Sequence, residues 1–396
     1  MHATRGSPRG VCVFDDAAWG ATLALTMKRK LLPFAVIAGS LAAVYACSSS
    51  SDGGGPAPNP TPEGGSSGAD TSTNNPDTST GTDSSMPDTS VVSKTDPIEG
   101  IAAPKQVADA LGFADGPQWF KDTLYVSRPL DNHLLKVNLV AGTVEDVRTG
   151  DGVNTGTIGN SIDKSGNLIS AERTLISRTP PDGGAVTTIA TMFNDGDGGT
   201  TPFDTPNDLV QHTASGVIFV TDPGYFAAPT NNHLVRILAD GGAFLAEDFP
   251  DAPRPNGIAL SKDGSTLYVS VTSPAIGTKP FVRKYTVSAT GTLSNPTLFA
   301  TFPHPTVDPS GVGATNDEPD GIAVDDNGNV FVAWRLGVNV YKADGTRYGN
   351  EPSIAIGPPN SPTNLTFGRA DRRSLFVTTA SGKIYESVVN IPGLLQ

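Results

Sequence analysis

Three short steps in this chain bring together side chains that could do chemistry: Pro206-Asn207-Asp208, Pro255-Asn256-Gly257 and Pro319-Asp320-Gly321. Each stands directly before an apolar run, Leu209-Val210, Ile258-Ala259-Leu260 or Ile322-Ala323-Val324. Asp115-Gly116-Pro117 and Pro362-Thr363-Asn364 hold the matching place in two further units. Carboxylate and amide oxygens are the donors that a hard divalent cation takes, and two Asp balance the charge of a doubly positive ion. One such step alone is ordinary turn chemistry, because Asn, Asp and Gly favour tight backbone bends. Five of them at equivalent positions, converging on one point, would make a site.

The elements that must position these residues repeat along the chain. A polar step leads into a short apolar strand, then a turn with Asp or Gly, then a second apolar strand. The second strands begin at Leu124, Leu168, Ile218, Leu267, Val330 and Leu375, at intervals of roughly 45 to 60 residues, the length of a four-stranded propeller blade. The fold class is therefore all-β, a six-bladed β-propeller over 101–396. The sixth unit stops soon after Ile384-Tyr385-Glu386, and Gln106-Val107-Ala108 is expected to supply its outer strand and close the ring, which removes exposed sheet edges. Counting back from the second strands aligns Asp115, Asn207, Asn256, Asp320 and Asn364. Ile158 takes that place in the second blade, with Asn160 two residues on, on the same face and one step deeper.

Composition agrees with many short strands and excludes some partners. The 396 residues hold 44 Gly and 33 Pro and carry a formal charge of −13, and no stretch keeps a capped helical period. An acidic chain without a basic stripe argues against nucleic acid. Both cysteines, Cys12 and Cys47, precede the repeats, so no disulfide staples the core. Asn194 to Gly199 resembles the start of a calcium loop but lacks the acidic fifth position and the distal Glu of an EF-hand, and is expected to be a loop leading down to Asn207 near the channel mouth. Trp119, Trp334 and Tyr225 are expected in the core.

The N-terminus reads as an address. Residues 1–26 have no targeting or folding pattern and read as an upstream extension before Met27. Lys28-Arg29-Lys30 and the apolar run from Leu31 form a signal peptide over 27–46. It ends Val44-Tyr45-Ala46-Cys47, which resembles a bacterial lipobox and makes Cys47 the expected lipidation site. The Ser, Thr, Gly, Pro and Asp-rich stretch that fills 47–100 cannot bury enough apolar surface to order itself. An exported protein, lipid-anchored in a bacterial envelope or otherwise secreted, is expected, touching the membrane through that anchor only.

The motifs also carry a family resemblance. Thr205-Pro206-Asn207-Asp208 with Thr221-Asp222-Pro223-Gly224-Tyr225, Pro255-Asn256-Gly257 with Leu267-Tyr268-Val269, and Pro319-Asp320-Gly321 resemble the gluconolactonase/senescence-marker-protein/regucalcin-like propellers over about residues 105–390. Gly159-Asn160-Ser161 with Ala171-Glu172-Arg173, and Pro362-Thr363-Asn364 with Thr378 to Gly382, are similar to its bacterial gluconolactonase branch. The resemblance implies one divalent metal held by Asp115, Asn256 and Asp320, calcium first, with magnesium, manganese or zinc as alternatives. It implies substrate contacts from Asn207, Asn160, Glu172 and Asn364. It further implies a monomeric hydrolase that opens a small-molecule lactone ring, with Asp320 as general base. Where the family usually has Glu-Gly-Pro, this chain has Asp115, one methylene shorter. No Lys or Arg stands shortly before Pro206, and Arg173 replaces a His found in similar bacterial chains. A non-catalytic propeller that holds a ligand or partner at the same mouth is the alternative.

Overall fold

Second strands such as Val330-Phe331-Val332 bury both of their faces, because each sheet is covered on both sides by its neighbours. In the computed structural model four of the six units are four-stranded antiparallel sheets of consecutive strands, blade 3 adds two strands, and blade 6 takes its outer strand from Lys105–Ala108. The structure describes residues 95–396 except 110–111, 181–183, 226–230, 251–252, 273–278, 304–317 and 358–359. The signal peptide, Cys47 and nearly all of the expected linker lie outside the described residues.

Blade 1 runs Asp115–Phe120, Thr123–Arg128, His133–Asn138 and Thr143–Thr149 from inside to outside. The innermost strands of blades 2 to 6 are Asn160–Ile162, Leu209–Gln211, Arg254–Leu260, Ile322–Val324 and Pro362–Gly368. Five apolar clusters fill joints between adjacent blades. Phe219 and Leu234 of blade 3, for example, pack with Leu267 and Val269 of blade 4. At the joint of blades 1 and 2 a polar network takes part, with Arg148 bonded to the buried Glu172 at 2.6 Å.

The ring closes as expected. Lys105–Ala108 pairs antiparallel with Ile384–Val388, Lys105 opposite Glu386 and Gln106 opposite Tyr385. Residues 95–101 dock on the propeller: Asn390 Nδ2 donates to Asp96 O at 3.0 Å and Glu99 O at 2.9 Å, and Ile98 and Ile101 pack on the cluster between blades 5 and 6. One expectation needs correction. The Asn194 to Gly199 loop does not overhang the channel. It is the tip of an extra hairpin, Met192–Asn194 and Thr200–Pro202, attached to the outer strand of blade 3, where Phe193 packs on Phe203 and His233.

Candidate active site

Strand register decides which residue of each polar step faces the channel. Leu209 pairs with Val220, Ile258 with Val269, Ile322 with Val332 and Leu365 with Val377, while Asn160 pairs with Ser170. Two residues back from these inner-strand positions stand Asn207, Asn256, Asp320, Thr363 and Ile158, and Asp115 completes the ring from blade 1. All six line one cavity of about 260 Å³. Asn364 is therefore not the sixth spoke. Phe367 pairs with Leu375 where Leu260 pairs with Leu267, so the blade 6 hairpin is one residue longer, and that residue moves Thr363 into the ring.

One step deeper lies a layer of glycines: Gly116, Gly159, Gly257 and Gly321. A Cβ on Gly116 would stand 2.0 Å from Ile158 O, on Gly159 2.3 Å from Asn207 O, and on Gly257 2.3 Å from Asp320 O. Each glycine thus lets the next blade bring its ring residue in close. The two side chains in this layer are Asp208 and Asn364, which meet across the channel, Asn364 Nδ2 donating to Asp208 Oδ2 at 3.3 Å. Below them Asn160 and Asn364 line a separate small cavity with Leu209, Ile258 and Ile322. Asn160 donates to Gly116 O at 2.8 Å and Ser127 Oγ at 2.7 Å and accepts from Ser170 Oγ at 2.7 Å.

Three of the expected substrate contacts are thus placed elsewhere. Asn160 and Asn364 sit beneath the mouth, with their polar atoms engaged by the protein. Glu172 is fully buried at the joint of blades 1 and 2, where it accepts from Arg148, from Gly156 N at 2.7 Å and from Ser177 Oγ at 2.6 Å. It fixes the lead-in to Ile158 and does not line the cavity.

Hydroxyls on second strands hold the ring from behind. Thr221 Oγ1 donates to Asn256 O at 2.6 Å and Ser270 Oγ to Asp320 O at 2.7 Å, so each spoke is tied to the blade before it. Asp222 accepts from Thr205 N at 2.8 Å and Asp204 N at 3.1 Å and fixes the approach to Asn207. Sequence reasoning does not single these residues out, although Val126-Ser127, Val220-Thr221, Val269-Ser270 and Val377-Thr378 repeat a hydroxyl within the second strand. Tyr225, expected in the core, lines the cavity. Trp119 stacks on Phe376 and Trp334 packs on Phe302, as core residues.

The cavity floor is electrically strained. Burial pushes the Asp115 carboxyl up, and burial then the charges of Asp115, Asp208 and Glu318 push Asp320 well above the ordinary carboxyl range. Asp208 is pushed up to about 7, chiefly by burial. The Asn256 amide oxygen is buried without a hydrogen-bond partner. Such an atom is costly unless something absent supplies its partner, and a cation fits both it and the facing carboxylates. Among the described residues no three His, Cys, Asp or Glu side chains gather as a metal-binding group; the ring combines two carboxylates with two amides instead.

A pH effect follows for the metal-free protein. Asp208 at about 7 and Asp222 at about 6, both raised by burial from 3.8, bind more protons folded than unfolded between those values. Their contribution to stability is complete below about pH 4 and lost as pH rises through 6 to 7. With a chelator present, Tm is expected to be higher at pH 5 than at pH 8, and a divalent cation at pH 8 should restore it. A metal-free Tm that climbs over this range would contradict the assignment.

A family model described as the SMP-30/gluconolactonase/LRE-like region matches residues 113–381. The chain belongs to this family. A gluconolactonase of Zymomonas mobilis is 27% identical over 310 residues, 72% of this chain and 81% of its own. A pentonolactonase of Haloferax volcanii is 30% identical over 179 residues, 44% of this chain and 53% of its own. Among solved structures, a gluconolactonase from Xanthomonas campestris superposes with a TM-score of 0.58 at 24% identity, covering 74% of this chain and 91% of that one. A protein described as calcium-binding regucalcin, from Agrobacterium tumefaciens, superposes at 0.57 with 16% identity, covering 75% and 96%. These likenesses establish the fold of the SMP-30/gluconolactonase/LRE-like chain.

Proposed function

We propose that the protein hydrolyses a lactone at the mouth of the central channel. The observation that carries this is the convergence of Asp115, Asn207, Asn256 and Asp320, from four blades, on one cavity. Membership of a family whose curated relatives are named gluconolactonase and pentonolactonase supports it.

Asp115, Asn256 and Asp320 would hold a divalent cation, with Asn207 facing the same space. Such an ion, when bound, draws electron density from the lactone carbonyl and offsets negative charge as the carbonyl carbon is attacked. Asp320 accepts the proton of the attacking water. The water oxygen bonds to the carbonyl carbon, the ring C–O bond breaks, and the proton passes to the departing ring oxygen, giving the open hydroxy acid. In the metal-free protein burial, then the like charges of Asp115, Asp208 and Glu318, raise the basicity of Asp320; a bound cation would oppose this and keep the carboxylate ionised, ready to take the proton. Thr221 and Ser270, bonded to the Asn256 and Asp320 carbonyls, keep the spokes in place during this step.

The test is turnover by the purified protein of a panel of five- and six-membered lactones, after chelation and after adding back Ca²⁺, Mg²⁺, Mn²⁺ or Zn²⁺. Ring opening that needs a cation is expected. Absence of turnover with every metal would leave the non-catalytic ligand-binding propeller as the better account.

A further inference from the structure

Apolar side chains gather on one side of the channel mouth. Blades 6, 1 and 2 contribute Pro362, Phe113, Pro129, Leu130 and Ile158, an apolar wall beside the polar Asp115, Ser361 and Thr363, while the following segments contribute mostly polar groups, Asn207, Asn256, Glu318 and Asp320 among them. Leu130 is 66% exposed at the rim, a large apolar side chain held open to solvent beside the candidate reaction centre. The wall is pre-formed. Arg173 of blade 2 donates Nε to Asn132 Oδ1 at 2.7 Å and a terminal amino group to Pro129 O at 2.8 Å, which pins the blade 1 turn that carries Pro129 and Leu130.

Charge narrows the substrate further. Asp115, Glu318 and Asp320 give the cavity three carboxyl groups, and no Lys, Arg or His is among its described lining residues. The segments outside the described set between 95 and 396 contain no Lys or Arg. Arg254 lies over the Tyr225 ring at 5.2 Å and is not on the wall. Even with one divalent cation held there, three carboxyl groups leave the lining net negative, which disfavours an anionic lactone. A ring bearing hydroxyls on every carbon would leave several of them facing carbon, without the partners that polar groups need when water is excluded.

We infer that the site takes an uncharged lactone with an apolar substituent, its carbonyl at the Asp115–Asp320 ring and its hydrocarbon tail on Phe113, Pro129 and Leu130. This rests on the lactonase reading and specifies its substrate class. Leu130 and Phe113 are then specificity-determining residues, and Arg173 is a positioning residue that acts through the Pro129-Leu130 turn.

The full chain, loaded with Ca²⁺, is assayed on δ-decalactone, unsubstituted δ-valerolactone and glucono-δ-lactone, with spontaneous opening subtracted. The expected kcat/KM for the alkyl lactone exceeds that for glucono-δ-lactone by at least about 30-fold, since each methylene transferred to an apolar wall contributes a severalfold factor. Leu130→Asp should reduce the ratio of alkyl to unsubstituted lactone by about 10-fold, and Arg173→Ala should reduce it without altering the lining itself. Equal or better turnover of glucono-δ-lactone, or an unchanged ratio in Leu130→Asp, overturns the inference. Binding decides the matter separately from catalysis. By calorimetry a six-membered lactam with the same alkyl chain should bind at least about 10-fold tighter than its polyhydroxylated counterpart, with or without turnover. Failure of all turnover with this preference intact removes only the hydrolase reading; equal or absent lactam binding removes the substrate class.

Discussion

Asp320→Asn is expected to lower kcat for lactone opening by about 10²- to 10⁴-fold, the range that a positioned general base contributes. The substitution keeps shape and one oxygen donor but removes the proton acceptor. Asp320 is half-buried and faces the charges of Asp115, Asp208 and Glu318, so the neutral amide relieves repulsion. The metal-free variant should therefore melt no lower, and at pH 8 higher, than the parent. Loss of activity with retained or raised Tm separates a chemical role from a structural one. Cation stoichiometry, measured on the same sample, tells whether the remaining oxygen still holds the ion. Full activity in Asp320→Asn would remove this residue from the chemistry, and with it the proposed proton path.

Gly257→Ala should have a large structural effect for a single methyl added at the channel. Its Cβ would stand 2.3 Å from Asp320 O and 2.5 Å from the Gly321 Cα, both backbone atoms of the next blade. Blades 4 and 5 must then separate at the ring, against the Ser270–Asp320 hydrogen bond that ties them. Overpacking of this kind costs about 1–3 kcal/mol and sometimes more. Because the displaced group is the Asp320 backbone, activity should fall by about 10²-fold, the scale expected for a misplacement of an ångström. Thermal unfolding and kcat read the two effects on one preparation. As a control, Gly166→Ala meets no atom within 4 Å, though its φ of +76° is itself strained; it should lose stability without loss of kcat. Equal kcat in Gly257→Ala and the parent would show that the glycine layer does not set the spokes.

The contrast between Gly257 and an ordinary turn glycine shows where sequence reasoning fell short. Pro-Asx-Gly looks like turn chemistry, and its glycine is read as a residue that permits a bend. In the structure Gly257 carries no such demand; what it permits is close approach of another blade, sixty residues on in the chain. The same holds for Glu172. Its sequence context suggested a substrate contact, but Arg148, Gly156 and Ser177 occupy both of its oxygens, and those partners come from two blades.

The sequence alone determined the blade number, the strand order, the closing strand at Lys105–Ala108, and four spokes of the ring, Asp115, Asn207, Asn256 and Asp320. These are set by short-range signals, a two-residue side-chain alternation and an Asx step before each inner strand, that repeat often enough to be read without contacts. Only the tertiary structure decided that Thr363 and not Asn364 is a spoke, that Asn160 lies below the mouth, and that an apolar wall stands on one side of it. A strand side chain changes face with every residue, so a hairpin longer by one residue reverses the choice. The wall has no linear pattern at all. Phe113, Leu130, Ile158 and Pro362 become neighbours only because closing the ring brings blades 6, 1 and 2 around one opening.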